Sequence, residues 1–313
     1  MALLPRRAGQ CAGHRVGRGS YRTVAVRLGA RLLALRVLSG LHQLLRCPRC
    51  GTAPEPGLAR CKGCGRSIVA AGGGLDLLDD HGRVAADRFA AQYTALRRQE
   101  GWIGADGRED PEGGEPRLWR GRLESVAQAA TALSSQWTGP SRPVVVDIGS
   151  GGGWAARYFG DADIIAIDLL DIDSRPDVLQ VRADMRSLPL RDHTVDVAFY
   201  AASLHYAPVS NAIGEAARVL RAGGLLVAVD SPMYGDRRRQ ALAEARSAAY
   251  YAEAGFPELA AHYHPIDVTA LRAALASDGF KVLRLEAGVT ARRWWERLGG
   301  PERSFLVARL LRR

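Results

Sequence analysis

Lysine is almost absent from this chain: Lys62 and Lys281 are the two lysines among 43 basic residues, so arginine carries the positive charge. That skew reads as a compositional bias of the coding sequence and excludes no function. Long apolar runs are also missing. No stretch approaches the roughly 18–20 residues that cross a bilayer as a helix, which excludes an ordinary helical membrane protein. Cysteine is scarce, five in 313 residues, and four of the five fall in two C-x-x-C pairs. That usage excludes a disulfide framework and points to metal in a reducing compartment, here read as the cytoplasm.

Acids are missing from the first 54 residues, which hold ten arginines before Glu55. The net charge of +10 ordinarily hints at nucleic acid. The remainder of the chain has 33 basic and 33 acidic residues, so the basicity belongs to the leader. The body has no overall basic bias, though a local patch stays open. Residues 1–45 read as a poorly ordered basic leader with a helix over 24–45. The competing readings are an arm for RNA or an anionic membrane and a transit-type peptide. Arg27 and Arg31 share a helical face but Arg36 lies opposite, so the segment is not cleanly amphipathic. Ser20 and Ser39 are too few serines for a transit peptide.

Hydrophobic residues make up 47% of the chain, enough for a sizeable core. The chemistry begins at 144–160, VVVDIGSGGGWAARYFG. Three consecutive β-branched residues, Val144 to Val146, suit a strand buried on both faces of a parallel sheet. Gly149, Gly151 and Gly153 follow, then a helix start at Trp154. Strand, glycine turn and helix form the phosphate-binding layout of a Rossmann-like fold. The dinucleotide fingerprint G-x-G-x-x-G, however, is lacking, because its third glycine falls on Trp154. Asp147 at the strand end disfavours a pyrophosphate and suits a ligand with a cationic amine. S-adenosylmethionine is such a ligand. A second acid, Asp168, ends the next apolar run, where a carboxylate can accept from both ribose hydroxyls.

These residues resemble the class I S-adenosylmethionine-dependent methyltransferases, of the type 11-like kind. DIGSGGG at 147–153, which includes Ser150, matches their first motif, and AIDLL at 166–170, which includes Leu169, their second. The resemblance continues through VRADMRSLPLRDHTVDVAFYAASLHY (181–206) and ARVLRAGGLLVAVDSP (217–232), with Ala222 where proline is usual. It implies an α/β fold with a seven-stranded Rossmann-like sheet over residues 141–313. It places Asp184 and Met185 at the adenine, and Ala202 to His205, with Leu204 between them, along the methyl-donor pocket. A nicotinamide-binding Rossmann domain is the rival, disfavoured by Trp154 and Asp147. A degenerate, non-catalytic fold is the other.

Residues 46–65 read RCPRCGTAPEPGLARCKGCG. Cys47 and Cys50, then Cys61 and Cys64, are each followed by glycine, as in the two knuckles of a zinc ribbon. Four thiolates make a closed tetrahedral site, so the zinc is structural. A redox C-x-x-C needs a βαβ setting that two pairs with proline and glycine between them do not offer. Through 68–78 the segment resembles Trm112-like ribbons, which some methyltransferases acting on ribosomal guanine carry. Their last ligand tends to be histidine, and here it is Cys64.

The layout is therefore a leader (1–45), a ribbon (46–78), a helical linker or lid (79–140) and the methyltransferase domain (141–313). Helices are expected over 82–100 and 117–136, around the glycine- and acid-rich 104–116. Phe89, Tyr93, Trp102 and Trp119 are candidates to cover the donor. An insertion at 233–279 is aromatic-rich, with Tyr250, Tyr251, His262, Tyr263 and His264, and Trp294–Trp295 offer a lid or partner contact. His205 is the candidate general base, with Tyr206 beside it and Asp230 as a weaker choice. Pyrimidine C5 chemistry is argued against because zinc leaves only Cys11. Exocyclic adenine methylation is argued against because Ala201-Ala-Ser-Leu-His-Tyr replaces the usual Pro-Pro motif. The reading is methyl transfer to an oxygen or nitrogen of a small molecule. RNA guanine methylation through the ribbon and a non-catalytic partner protein are the alternatives. The oligomeric state is not legible.

Overall fold

A computed structural model describes residues 40–57, 59–104, 109, 111, 116–139, 142–171, 178–287 and 304–311. The expectations for 1–39, for most of 104–116 and for Trp294–Trp295 lie outside these residues.

In chain order the elements are β1 (Leu75–Asp76), α1 (Arg83–Gln99), α2 (Pro116–Gln136), β2 (Val144–Ile148), β3 (Asp163–Asp168), β4 (Leu179–Arg182) and β5 (Val195–Ala201). Then come α3 (Val209–Val219), β6 (Leu220–Val229), β7 (Met233–Tyr234), α4 (Arg237–Glu253), β8 (Ile266–Asp267), α5 (Val268–Ser277), β9 (Phe280–Glu286) and β10 (Phe305–Leu310). β7 and β8 form a separate two-stranded sheet. All other strands join one sheet in the order β1-β4-β3-β2-β5-β6-β10-β9. Pairing from β1 through β6 is parallel, and β10 runs antiparallel to both β6 and β9. The fold is thus the expected α/β type, with eight strands rather than seven.

Alternation along the central strands explains why they are apolar on both faces. Val146, Ile148, Ala198 and Tyr200 enter the core on one face of the sheet. Val145, Val197 and Phe199 enter the core on the other, under α2. With both faces covered, such strands are apolar at nearly every position, Asp147 in β2 and Asp196 in β5 being the exceptions.

The extra strand comes from the cysteine-rich segment. Leu75 and Asp76 pair with Val181 and Arg182 at the sheet edge. The same segment shares the main core: Leu41, Leu45, Cys47, Cys61 and Ile68 pack with Leu179, Val181, Leu188 and Leu190. Leu45 bridges Leu190, Arg46 N–H donates to the Pro189 carbonyl at 2.9 Å, and Arg191 N–H donates to the Leu44 carbonyl at 2.8 Å.

The helix expected at Trp154 is a six-residue 3₁₀ turn, Trp154–Phe159. Gly153 enters it at φ 69° and Gly160 leaves at φ 57°, conformations that cannot extend a right-handed helix at either end. The Trp154 ring is instead a packing element, edge-on to Trp119 at 5.4 Å between centres.

Candidate functional site

The carboxyl ends of β2, β3 and β5 open into one cleft. Its floor is the glycine turn. Gly149 takes φ 70° and Gly151 φ 53°, both left-handed. A Cβ on Gly149 would lie 2.4 Å from the Ser203 Cβ, and one on Gly151 2.5 Å from Glu109 Oε2. Glycine is required at both for φ, and at Gly149 for space as well, whereas near Gly151 the crowding atoms are the movable end of the Glu109 side chain. The turn is tied down from below: Gly149 N–H and Ser150 N–H donate to the Ile167 carbonyl at 2.8 and 3.1 Å.

Asp168 ends β3 and accepts from Gly151 N–H at 2.8 Å and Leu170 N–H at 2.9 Å. One carboxylate thus joins the two turns that frame the floor. Burial pushes its pKa up, against those backbone donors. Asp147 sits one layer deeper. It is fully buried, and neither carboxylate oxygen has a hydrogen-bond partner. Burial above all, then Asp168 and Glu109, push it up to about 8. Because β2 alternates, Asp147 lies behind the wall rather than on it, unlike the direct contact expected for it. Gly153 and Leu204 likewise stand off the cleft surface, Gly153 capping the 3₁₀ turn and Leu204 fully buried. Gly149, Ser150, Gly151, Asp168, Leu169, Asp184, Met185, Ala202, His205 and Tyr206 all line the cleft.

β5 delivers the opposite wall. Ala202 adopts φ 53°, a strained value for alanine, with its N–H held by the Val229 carbonyl at 2.8 Å. The kink turns Ser203 back under the glycine turn, where its hydroxyl donates to the Ile148 carbonyl at 2.5 Å. It also turns His205 toward the cleft. His205 is buried, with Nδ1 3.4 Å from Ser231 Oγ. Burial first, then Arg122, Arg97 and His264, lower its pKa to about 3, so the ring is neutral. Tyr206 accepts a hydrogen bond from Arg97 Nη2 at 2.7 Å. Asp230, the weaker base candidate, accepts from Ser125 Oγ at 2.8 Å and is not a lining residue.

α1 and the chain after it close the top. Phe89, Tyr93, Trp102 and Trp119, the expected covering aromatics, all line the cleft. Phe89 lies 4.7 Å from the His262 ring and 6.1 Å from Tyr206. Tyr93 stacks on Phe89 and meets Tyr206 edge-on at 5.7 Å. The 233–279 insertion backs this wall through Tyr251, Leu259 and Tyr263. Three charged residues were not foreseen. Arg97 reaches Tyr206 and Glu100, Glu109 accepts from Gly152 N–H at 2.7 Å, and Arg122 lies over the Trp102 ring. On a helix or in an acid-rich loop such residues look like a solvated face. The usable signal was the spacing of Arg97 from Tyr93, one turn apart, which stacks guanidinium on ring at 4.7 Å.

The cysteines form a second, separate site. Their four sulfurs all lie within 4.8 Å of one another, with Cys50–Cys61 at 3.5 Å and Cys47–Cys64 at 3.8 Å. The two loops are built alike. Gly51 N–H donates to the Cys47 carbonyl and Gly65 N–H to the Cys61 carbonyl, each at 2.8 Å, with both glycines near φ 72–73°. Cys47 N–H and Cys61 N–H close the loops onto Thr52 and Arg66, each at 2.9 Å.

Residues 146–228 match the family model described as methyltransferase domain. No curated protein matches the chain. Similar solved structures include an S-adenosylmethionine-dependent methyltransferase from Mesorhizobium loti, 23% identical over 59% of this chain and 99% of that one, TM-score 0.43. Another is the geranyl diphosphate C-methyltransferase of Streptomyces coelicolor A3(2), in complex with Mg2+, geranyl diphosphate and S-adenosyl-L-homocysteine. It is 17% identical over 67% and 90% of the two chains, TM-score 0.45. A chain of the complex between the Haloferax volcanii Trm112 methyltransferase activator and a methyltransferase is 16% identical over 62% and 93%, TM-score 0.45. The residues matched by that family model carry the glycine turn, Asp168 and the β5 wall.

Proposed function

We propose that the protein transfers the methyl group of S-adenosylmethionine to an oxygen or nitrogen of a small-molecule acceptor. One observation carries the reading: a left-handed glycine turn is bound to Asp168, and the strand that leads into it carries the buried, unpartnered carboxylate of Asp147. A buried acid without a partner suits a cationic ligand overhead, since the positive field lowers the cost of its ionisation. Asp168 fits a ribose diol, which its oxygens can reach once the backbone donors yield or share. Met185 and Leu169 supply apolar surface for a base, and Asp184 a polar edge.

The donor when bound supplies an activated methyl group, so the chain's work is positioning and exclusion of water. The aromatic wall of Phe89, Tyr93, Tyr206 and His262 keeps solvent from the acceptor side. His205, neutral and aimed at the same space, can take the proton released from a hydroxyl or amine. Ser231 fixes the ring's plane.

The four cysteines fit a structural zinc. A tetrahedron with Zn–S bonds of about 2.3 Å has sulfurs about 3.8 Å apart, close to the observed spacings. No ligand position is left open, and the inner face of the site is spent on the protein's own core. That supports a structural role over a gripping surface for RNA.

The test is methyl transfer from radiolabelled S-adenosylmethionine into a host lysate, fractionated into RNA, protein and metabolites and repeated with Asp168→Ala. Label in the metabolite fraction that the variant loses supports the reading. Label in RNA replaces it with the guanine alternative, and donor binding without transfer to any fraction replaces it with the non-catalytic one.

A further inference from the structure

The two ends of the cleft differ in charge. At the glycine turn, Glu109 accepts from Gly152 N–H at 2.7 Å. Arg122 lies over Trp102, whose ring meets Trp119 edge-on at 5.2 Å, as Trp119 meets Trp154 at 5.4 Å. On the methyl-transfer reading, both charges belong to the donor's end. The wall formed by Tyr93, His205 and Tyr206 is balanced instead. Arg97 donates to one Glu100 oxygen at 2.5 Å and to the Tyr206 hydroxyl oxygen at 2.7 Å, and Tyr250 donates to the other Glu100 oxygen. One cation therefore meets one anion. His205, His262 and His264 all lie below their ordinary pKa, with burial the first cause of each, so none of them brings a charge.

This chain of hydrogen bonds has a direction. A guanidinium only donates, so the Tyr206 oxygen must accept from Arg97, and its own O–H is left to donate elsewhere. Among the described residues nothing accepts that proton. The ring is fixed on several sides: Tyr93 meets it edge-on at 5.7 Å between centres, Phe89 at 6.1 Å, and the His205 ring lies 4.4 Å away. Tyr206 lines the cleft, so its one spare donor is offered to whatever fills the space. A donor left without an acceptor in a site closed to water is costly, which selects a ligand that brings a lone pair. An anion finds no free countercharge here, because Glu100 already holds Arg97, and a cation is repelled by the same Arg97. The rings of the wall favour a flat aromatic body. We propose that Tyr206 selects the acceptor: an uncharged aromatic molecule with a carbonyl or ether oxygen that takes the Tyr206 O–H while its hydroxyl or amine faces His205. This rests on the methyl-transfer reading and adds the acceptor's class to it.

The probes are acetophenone, ethylbenzene and benzoate, titrated by saturation-transfer NMR onto protein saturated with S-adenosylhomocysteine. They share a ring and differ in offering a neutral oxygen, no oxygen or a charge. Wild type and Tyr206→Phe are compared, with a thermal melt confirming that each is folded. Tyr206→Phe should weaken acetophenone about fivefold and leave ethylbenzene within about twofold. In the wild type, acetophenone should bind at least about tenfold more tightly than benzoate. Acetophenone affinity that survives Tyr206→Phe, an equal loss for ethylbenzene, benzoate binding as tightly as acetophenone, or binding of none of the three overturns the proposal. So does a loss of S-adenosylhomocysteine affinity of about tenfold in Tyr206→Phe, because the hydroxyl then serves the donor. Failure of the wild type to bind S-adenosylhomocysteine counts instead against the methyl-transfer reading.

Discussion

Asp147 shows what one buried carboxylate imposes. Its folded value of about 8 lies far above the ordinary 3.8. The unfolded chain releases this proton near the ordinary value and the folded chain only near 8. Folding therefore takes up a proton between them, and this group's contribution to stability falls as pH rises through that window. Asp147→Asn should flatten the dependence: between about pH 5.5 and 7.5 the wild-type urea midpoint should drop more than the variant's. His205 carries the opposite shift. Its pKa of about 3 makes it neutral throughout the ordinary range, so kcat/KM of the wild type should show no inflection near 6.5. His205→Gln should lower kcat by about 10²-fold or more and leave S-adenosylhomocysteine affinity within about threefold, checked by steady-state kinetics and calorimetry. An unchanged kcat would reduce His205 to a wall residue.

At the scale of elements, the turn after β3 is gripped from the cysteine-rich side. Asp171 accepts from Ala71 N–H and Gly72 N–H, each at 2.9 Å. Arg182 on β4 donates to the Leu169 carbonyl at 2.9 Å, lies 3.7 Å from Asp76 on β1 and bonds Asp87 on α1. Arg83 on α1 closes the group with a two-pronged contact to Asp76 at 2.6 and 2.9 Å. The edge strand, the covering helix and the turn that holds Asp168 are thus fastened to one another. Asp171→Ala removes two hydrogen bonds from an exposed loop contact, so overall stability should change by about 1 kcal/mol or less. Donor affinity should still fall several-fold, because the Leu169–Leu170 turn loses its anchor. A calorimetric titration with S-adenosylhomocysteine alongside a thermal melt separates the two effects.

For the molecule as a whole, the cysteine site and the eight-stranded sheet share one core. Cys47 and Cys61 are buried in the same cluster as Val181, Leu188 and Leu190. Metal removal should therefore lower the thermal stability of the entire protein in one transition, not release a small module that melts by itself. The expected result is a single cooperative melt shifted down by chelator, with S-adenosylhomocysteine affinity lost in parallel. Two separate transitions, or full donor affinity in metal-free protein, would show that the ribbon and the sheet stand independently. Among the described residues no helix is long and apolar enough to cross a membrane.

Several features were settled by sequence because they depend on local chemistry. Three β-branched residues followed by alternate glycines specify a buried strand and a left-handed turn whatever surrounds them. Asp147 and Asp168 were located because an acid at the end of an apolar run is conspicuous. The two C-x-x-C-G loops followed from knuckle geometry, since cysteine spacing and a glycine after each pair suffice to close them. Tertiary structure decided the rest. Which aligned residues touch the cleft depends on strand alternation and on the kink at Ala202, and this set Asp147, Gly153 and Leu204 behind the wall. The eighth strand was hidden because two residues, Leu75 and Asp76, carry no period of their own and become a strand only when β4 offers its edge. Arg97, Glu109 and Arg122 looked like surface charge in one dimension. Only the packing of α1, α2 and the chain between them onto the sheet turned those charges inward, where the low dielectric gives each of them weight.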